Sequence, residues 1–103
     1  MRQFETLLLL SPELSTDART ALVDGFKAII EREGGKMLLE DVWGMRDLAY
    51  PVQKQMRGFY VRLEYAAPGA LVKELERNIR IAEGVFKFIT VKLAEEAKEE
   101  VAA

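Results

Sequence analysis

Between Trp43 and Tyr60 the chain reads WGMRDLAYPVQKQMRGFY, the one stretch in which cations and aromatic rings are closely interleaved. Arg46, Lys54 and Arg57 stand beside Trp43, Tyr50, Phe59 and Tyr60. Cations reach phosphate, while aromatic faces and guanidinium planes stack on unpaired bases or on ribose, so the combination fits contact with looped or single-stranded RNA. Aromatics at strand spacing also build cores, and the pattern alone leaves both readings open.

Other chemistry is scarce. The chain has no cysteine and no histidine, which removes disulfides, thiolate and imidazole metal sites, cysteine nucleophiles and serine–histidine relays. Glu40 and Asp41 are adjacent, so on a strand they face opposite sides and form no acid–base pair. An acylphosphatase-like reaction needs a phosphate-cradling loop and a positioned arginine. The loop at Ser11-Pro12 has neither glycine nor arginine. No enzyme activity, cofactor, metal or small-molecule substrate is expected.

The 103 residues suit one domain, large enough to bury roughly 65% of its unfolded surface. Half the residues are apolar and 31% are charged, which is ordinary globular usage. The formal net charge of -2 hides an uneven distribution. From Trp43 to Arg62 four cations (Arg46, Lys54, Arg57, Arg62) face one acid, Asp47, whereas from Glu95 to Glu100 four glutamates face Lys98. The amino terminus shows no signal pattern, and no apolar run approaches the roughly 20 residues of a membrane span. A cytoplasmic protein with no membrane partner is expected.

The elements that must position the basic–aromatic stretch follow from periodicity. Arg2 to Leu10 ends in four leucines stopped by Ser11-Pro12, a central strand covered on both faces. Ser15 or Thr16 caps a helix over roughly residues 16 to 33, with Leu22, Phe26, Ile29 and Ile30 as its stripe and Gly34-Gly35 as its stop. Its polar face, with Asp24, Lys27, Glu31 and Arg32, reads as solvated. Lys36 to Trp43 forms a second strand, ended or bent near Gly44 and continued to Pro51, which belongs at an edge or turn. After a polar connection over Gln53 to Arg57, Gly58 to Tyr65 makes the third strand. Pro68-Gly69 opens a second helix, with either Val72 or Leu71 ahead of Leu75 and Ile79 in its stripe, and Val85 to Leu93 forms the last strand.

This order predicts an α+β, ferredoxin-like βαββαβ fold, a four-stranded antiparallel sheet with two helices on one face. Residues 1–94 form the domain and 95–103 an acidic tail. With Thr6, Leu8, Leu63 and Phe88 under the helices, alternation sends Leu7, Leu9, Tyr60, Arg62, Lys87, Ile89 and Val91 to the open face. A monomer seldom leaves such an apolar patch wet. A protein partner is therefore expected on Leu7, Leu9, Tyr60, Arg62, Ile89 and Val91, the competing cover being the extended second strand or the acidic tail.

The segment Gly44-Met45-Arg46-Asp47-Leu48-Ala49-Tyr50-Pro51-Val52, followed by Lys54 and Gly58-Phe59-Tyr60, resembles the signature of the family of bacterial small-subunit ribosomal proteins numbered six. Met1-Arg2-Gln3-Phe4-Glu5 and Asn78-Ile79-Arg80-Ile81, with Val85 after them, extend the likeness over nearly the whole chain. Val52 replaces the usual isoleucine, and the family does not fix the tail. The resemblance implies a structural protein of the ribosome, binding the central domain of small-subunit ribosomal RNA and pairing with the small-subunit protein numbered eighteen.

On this view Arg2, Arg46, Lys54, Arg57, Arg80, Lys87 and Lys92 are phosphate candidates, each set against a solvated or ion-paired role. Arg46 and Arg80 lead because they match basic positions of the family. Phe4 and Tyr50 are candidates for stacking or support on the RNA side, with core or edge packing as the competing role. Arg57-Gly58-Phe59-Tyr60-Val61 also touches the motif of the RNA-recognition-motif family but lacks its aromatic spacing. A ferredoxin-like regulatory or dimerisation module is the other reading of the same fold.

Overall fold

Pro12 cannot extend a sheet ladder, and the first strand accordingly stops just before it. In the computed structural model, which describes residues 1–94, β1 runs over Arg2–Leu10. The acidic segment 95–103 lies outside the described residues. Ser15 caps α1 (Thr16–Arg32): its Oγ accepts the Ala18 N–H at 3.1 Å, and Asp17 sits in the first turn, where a negative charge complements the helix dipole. Val23, Phe26, Ile29 and Ile30 are its buried residues, Leu22 being only half-buried.

β2 is a single strand over Lys36–Val52 that does not end at Gly44. Gly44 instead takes φ 94° beside a bulge, because Val42 pairs with Val61 and Gly44 with Tyr60, leaving Trp43 as the extra residue. β3 spans Gln55–Ala67. The expected polar connection therefore shrinks to Gln53-Lys54, both at positive φ, as the turn of a two-residue hairpin requires. Gln55 and Arg57 belong to the ladder, opposite Val52 and Asp47.

α2 (Gly69–Ile81) buries Leu71, Leu75 and Ile79, which selects between the two stripes the sequence allowed. β4 (Val85–Ala94) closes the sheet, whose order is β2-β3-β1-β4 with every neighbouring pair antiparallel. The core lies between sheet and helices, with Leu8, Leu10, Leu63, Tyr65 and Leu75 fully covered. Within it the buried polar residue Thr6 shares hydrogen bonds with Tyr65 Oη at 2.8 Å and Thr90 Oγ1 at 2.9 Å. Among the described residues no buried side-chain polar atom lacks a partner, as a finished core demands. Among the described residues no helix is long and apolar enough to cross a membrane.

Candidate RNA and protein interface

Strand pairing arranges the middle of the open face in three rows, each running from β2 to β4, with a further row of Lys36, Ala66, Gln3 and Ala94 beyond the first of them. Leu39, Glu64, Glu5 and Val91 form one row; Asp41, Arg62, Leu7 and Ile89 the next; Gly44, Tyr60, Leu9 and Lys87 the last. The β4 end of the first two rows is apolar and wet, Ile89 being 62% and Val91 45% exposed. The interior of those rows is charged. Arg62 Nη1 donates to Glu5 Oε1 at 2.8 Å and also to Glu64 Oε2, and Nε lies 3.6 Å from Asp41 Oδ2. These bonds, that to Glu64 foremost, hold the Arg62 proton more tightly than usual.

The third row is roofed. Between the pairs Asp47–Arg57 and Val52–Gln55, four residues of β2 oppose one of β3. These four are Leu48-Ala49-Tyr50-Pro51, the most distinctive part of the sequence signature, and proline is tolerated there because the ladder is already broken. The tip of the β2–β3 hairpin, hereafter the arm, bends across the sheet, and Tyr50 on one edge strand meets Lys87 on the other. Lys87 Nζ donates to Tyr50 Oη at 3.3 Å and lies 5.0 Å from the ring centroid. A cleft of about 580 Å³ results, bordered by Tyr50, Leu7, Leu9, Tyr60, Lys87 and Arg80 among others.

This arrangement bears on two of the candidate residues. Leu9 is only 5% exposed: its Cδ1 occupies the space that a side chain at Gly58 would fill, and its cross-strand neighbours Tyr60 and Lys87 flank it. It is the floor of the cleft and offers little free surface. Phe4 is 8% exposed and stacked on Tyr65 at 5.9 Å, on the helix side of the sheet, in the core packing that was weighed against an RNA-side role. Arg62 stays on the open face, yet its bonding capacity is spent largely on its own carboxylates.

The cations fall into separate groups. Arg46 is exposed on the arm, with Nη2 3.5 Å from the Trp43 carbonyl and its guanidinium 5.9 Å from the Trp43 ring. Arg57 pairs with Asp47 at 3.2 Å, both side chains being mostly exposed, and Lys54 stands exposed in the hairpin turn. Arg80, in the last turn of α2, lies 3.6 Å from Glu76 and 5.5 Å from the Phe88 ring. Lys92 is opposite Phe4 on β4, and Arg2 opposite Ala67 on β3, with Arg2 Nη1 close to Gly69 at the start of α2. The arm thus gathers Arg46, Lys54 and Arg57, and the cleft joins Lys87 and Arg80 to Tyr50 and to the expected protein-partner residues. Arg2 and Lys92 lie at the far end of the sheet.

Glu5, Asp41 and Glu64 are not among the site candidates named from the sequence, although alternation from Leu7 and Arg62 leads straight to Glu5 and Glu64. Lys27, assigned to a solvated face, instead ties α1 to β2 through Glu40 Oε1 at 2.6 Å, a bond that raises its proton affinity.

Comparison with known proteins places this geometry in a family. The model of the family described as Ribosomal protein S6 matches residues 3–92. Over 102 residues the chain is 70% identical to the small ribosomal subunit protein bS6 of Nitratidesulfovibrio vulgaris, covering 99% of this chain and 100% of the relative. It is similar to a crystal structure of 30S ribosomal protein S6 from Thermotoga maritima, with a TM-score of 0.86 at 28% identity, over 89% of this chain and 87% of that one. The solution structure of the C-terminal domain of the MgtC protein from Mycobacterium tuberculosis shares the fold alone, with a TM-score of 0.64 at 12% identity over 97% and 95% of the two chains.

Proposed function

The chain belongs to the ribosomal protein S6 family, and from that premise we propose that it binds the central domain of small-subunit ribosomal RNA cooperatively with the small-subunit protein numbered eighteen. Membership makes it a structural component of the small ribosomal subunit, at work in the cytoplasm within the ribosome, and not an enzyme. The observation that supports the finer reading is a division of surface. Exposed cations stand on the arm that bends over one end of the sheet, while exposed aliphatic side chains lie on the sheet face beside it.

Each half suits a different partner. Arg46, Lys54 and Arg57 can meet phosphates at small cost, because the one ion pair among them, Arg57–Asp47, is largely solvated and worth little when broken. Ile89 and Val91 offer nothing to phosphate and suit a protein. The division into a domain of residues 1–94 and an acidic segment 95–103 belongs to the same proposal.

A net charge of -2 gives little counterion release, so binding to RNA alone should be weak and the second protein should strengthen it. Titration of a central-domain RNA fragment with and without that protein, at physiological salt, tests this: equal affinities contradict cooperativity. Arg46→Ala should reduce the salt slope by about 0.9 for one lost phosphate contact, and an unchanged slope removes Arg46 from the interface.

The dimerisation reading would bury Leu7, Leu9, Ile89 and Val91 against a second copy, but Leu9 is already covered within the chain. Light scattering at micromolar concentration separates the readings, a monomer opposing the dimer.

A further inference from the structure

The arm reaches Lys87 through the bulge at residues 48–51, a segment fixed at both ends and not between them. β1 stops at Leu10, opposite Phe59, so beyond that pair the β2–β3 hairpin is two strands wide, a width that is marginal without further support. One end of the bulge is pinned by the pair Asp47–Arg57 and its ion pair at 3.2 Å. The other is pinned at Val52–Gln55, because Gln55 Nε2 donates to Glu13 Oε2 at 3.1 Å and ties the hairpin to the turn before α1. Between these anchors only Met56 stands opposite Leu48-Ala49-Tyr50-Pro51, which leaves the four residues without register in the ladder.

Tyr50 carries this segment over the sheet. Its hydroxyl accepts from Lys87 Nζ at 3.3 Å, with the ammonium 5.0 Å from the ring centroid. Both side chains are exposed, Tyr50 at 61%, and a polar contact so solvated contributes little. While it lasts, it occupies the Lys87 ammonium and roofs the row of Tyr60, Leu9 and Lys87. A phosphate oxygen carries the charge that a phenol lacks and makes the stronger hydrogen bond to a cation. Phosphate within reach of Lys87 is therefore a better partner than Tyr50.

We propose that residues 48–51 form a lid over this row, latched by Tyr50 on Lys87, and that a phosphate taken by Lys87 releases the latch. The lid withholds a cation and the floor of the cleft in the chain alone, and RNA contact makes both available together. The release rests on the reading of Lys87 as an RNA contact; the latch rests on the geometry of this chain by itself.

The sequence holds no cysteine, so spin labels can be placed at Ala49→Cys and Lys73→Cys, exposed positions on the lid and on α2, and double electron–electron resonance reads their separation in the full chain. This parent should show mainly one separation. Adding Tyr50→Ala, or Lys87→Met, which keeps the stem and removes the donor, should lower the ratio of latched to released separations about threefold. The central-domain RNA fragment, saturating at low salt, should lower it likewise in the parent and have no further effect on the Lys87→Met chain. An unchanged ratio in both variants overturns the latch. RNA bound with the parent ratio unchanged overturns the release and leaves the functional reading intact. Failure to bind the fragment, with or without the protein numbered eighteen, contradicts that reading and the release together, while the two variants still decide the latch.

Discussion

The two faces of the sheet are built from the same strands, yet one is finished and the other is not. On the helix side Thr6, Leu8, Leu63 and Tyr65 have no exposure, and the polar chain Tyr65–Thr6–Thr90 is closed by hydrogen bonds. On the open side the alternate residues include the exposed aliphatics Leu39, Ile89 and Val91, three carboxylates around one arginine, and a row roofed by the arm. The difference lies in where the complement comes from. α1 and α2 supply it for the first face, so its chemistry is uniformly apolar; the second face mixes charge with apolar surface, as interfaces formed after folding do.

That contrast can be broken by substitution. Leu75→Ala, at a fully covered site on α2, should cost about 2–5 kcal/mol by urea denaturation. Ile89→Ala, on the open face, should change stability by less than about 0.5 kcal/mol. Similar losses at both sites would mean that the open face is as integral to the fold as the core.

Gly58→Ala probes the roofed row. The new methyl runs into Leu9 Cδ1, and since Leu9 is hemmed in, a loss of about 1–3 kcal/mol is expected in the same assay. A neutral result would show that Leu9 moves freely and that the row is open in solution.

Tyr65→Phe gives the smallest effect, about 1 kcal/mol near neutral pH from the lost bond to Thr6. Burial raises the Tyr65 phenol above its ordinary value of 10.0. The folded chain therefore keeps a proton that the unfolded chain releases. This contribution is full below about pH 10 and is lost as pH rises through the folded value. The gap between wild type and Tyr65→Phe should narrow above pH 10, and a gap that widens there contradicts the assigned environment.

Much of this was legible in the sequence because alternation and caps are local. The element order, the Ser15 cap and the placement of Ile89 and Val91 all follow from spacing over a few residues. The roofing of Leu9 was not legible. It depends on a four-against-one bulge at residues 48–51 and on a contact between Tyr50 and Lys87, positions whose proximity no local pattern encodes. For Phe4 the sequence leaves an RNA-side role and core packing both open, and strand parity places it beside Tyr65 in the core. Gln55 and Arg57 are polar but extend the ladder because the hairpin carries them beyond the helices, where a strand needs no apolar face.

Side-chain footprinting by hydroxyl radicals, on the chain alone and in complex with the central-domain RNA fragment and the protein numbered eighteen, tests the unfinished face most directly. Leu7, Ile89 and Val91 should become protected while exposed side chains on α1 and α2 keep their reactivity. Protection confined to α1 and α2, with Ile89 and Val91 as reactive as in the free chain, would contradict the account.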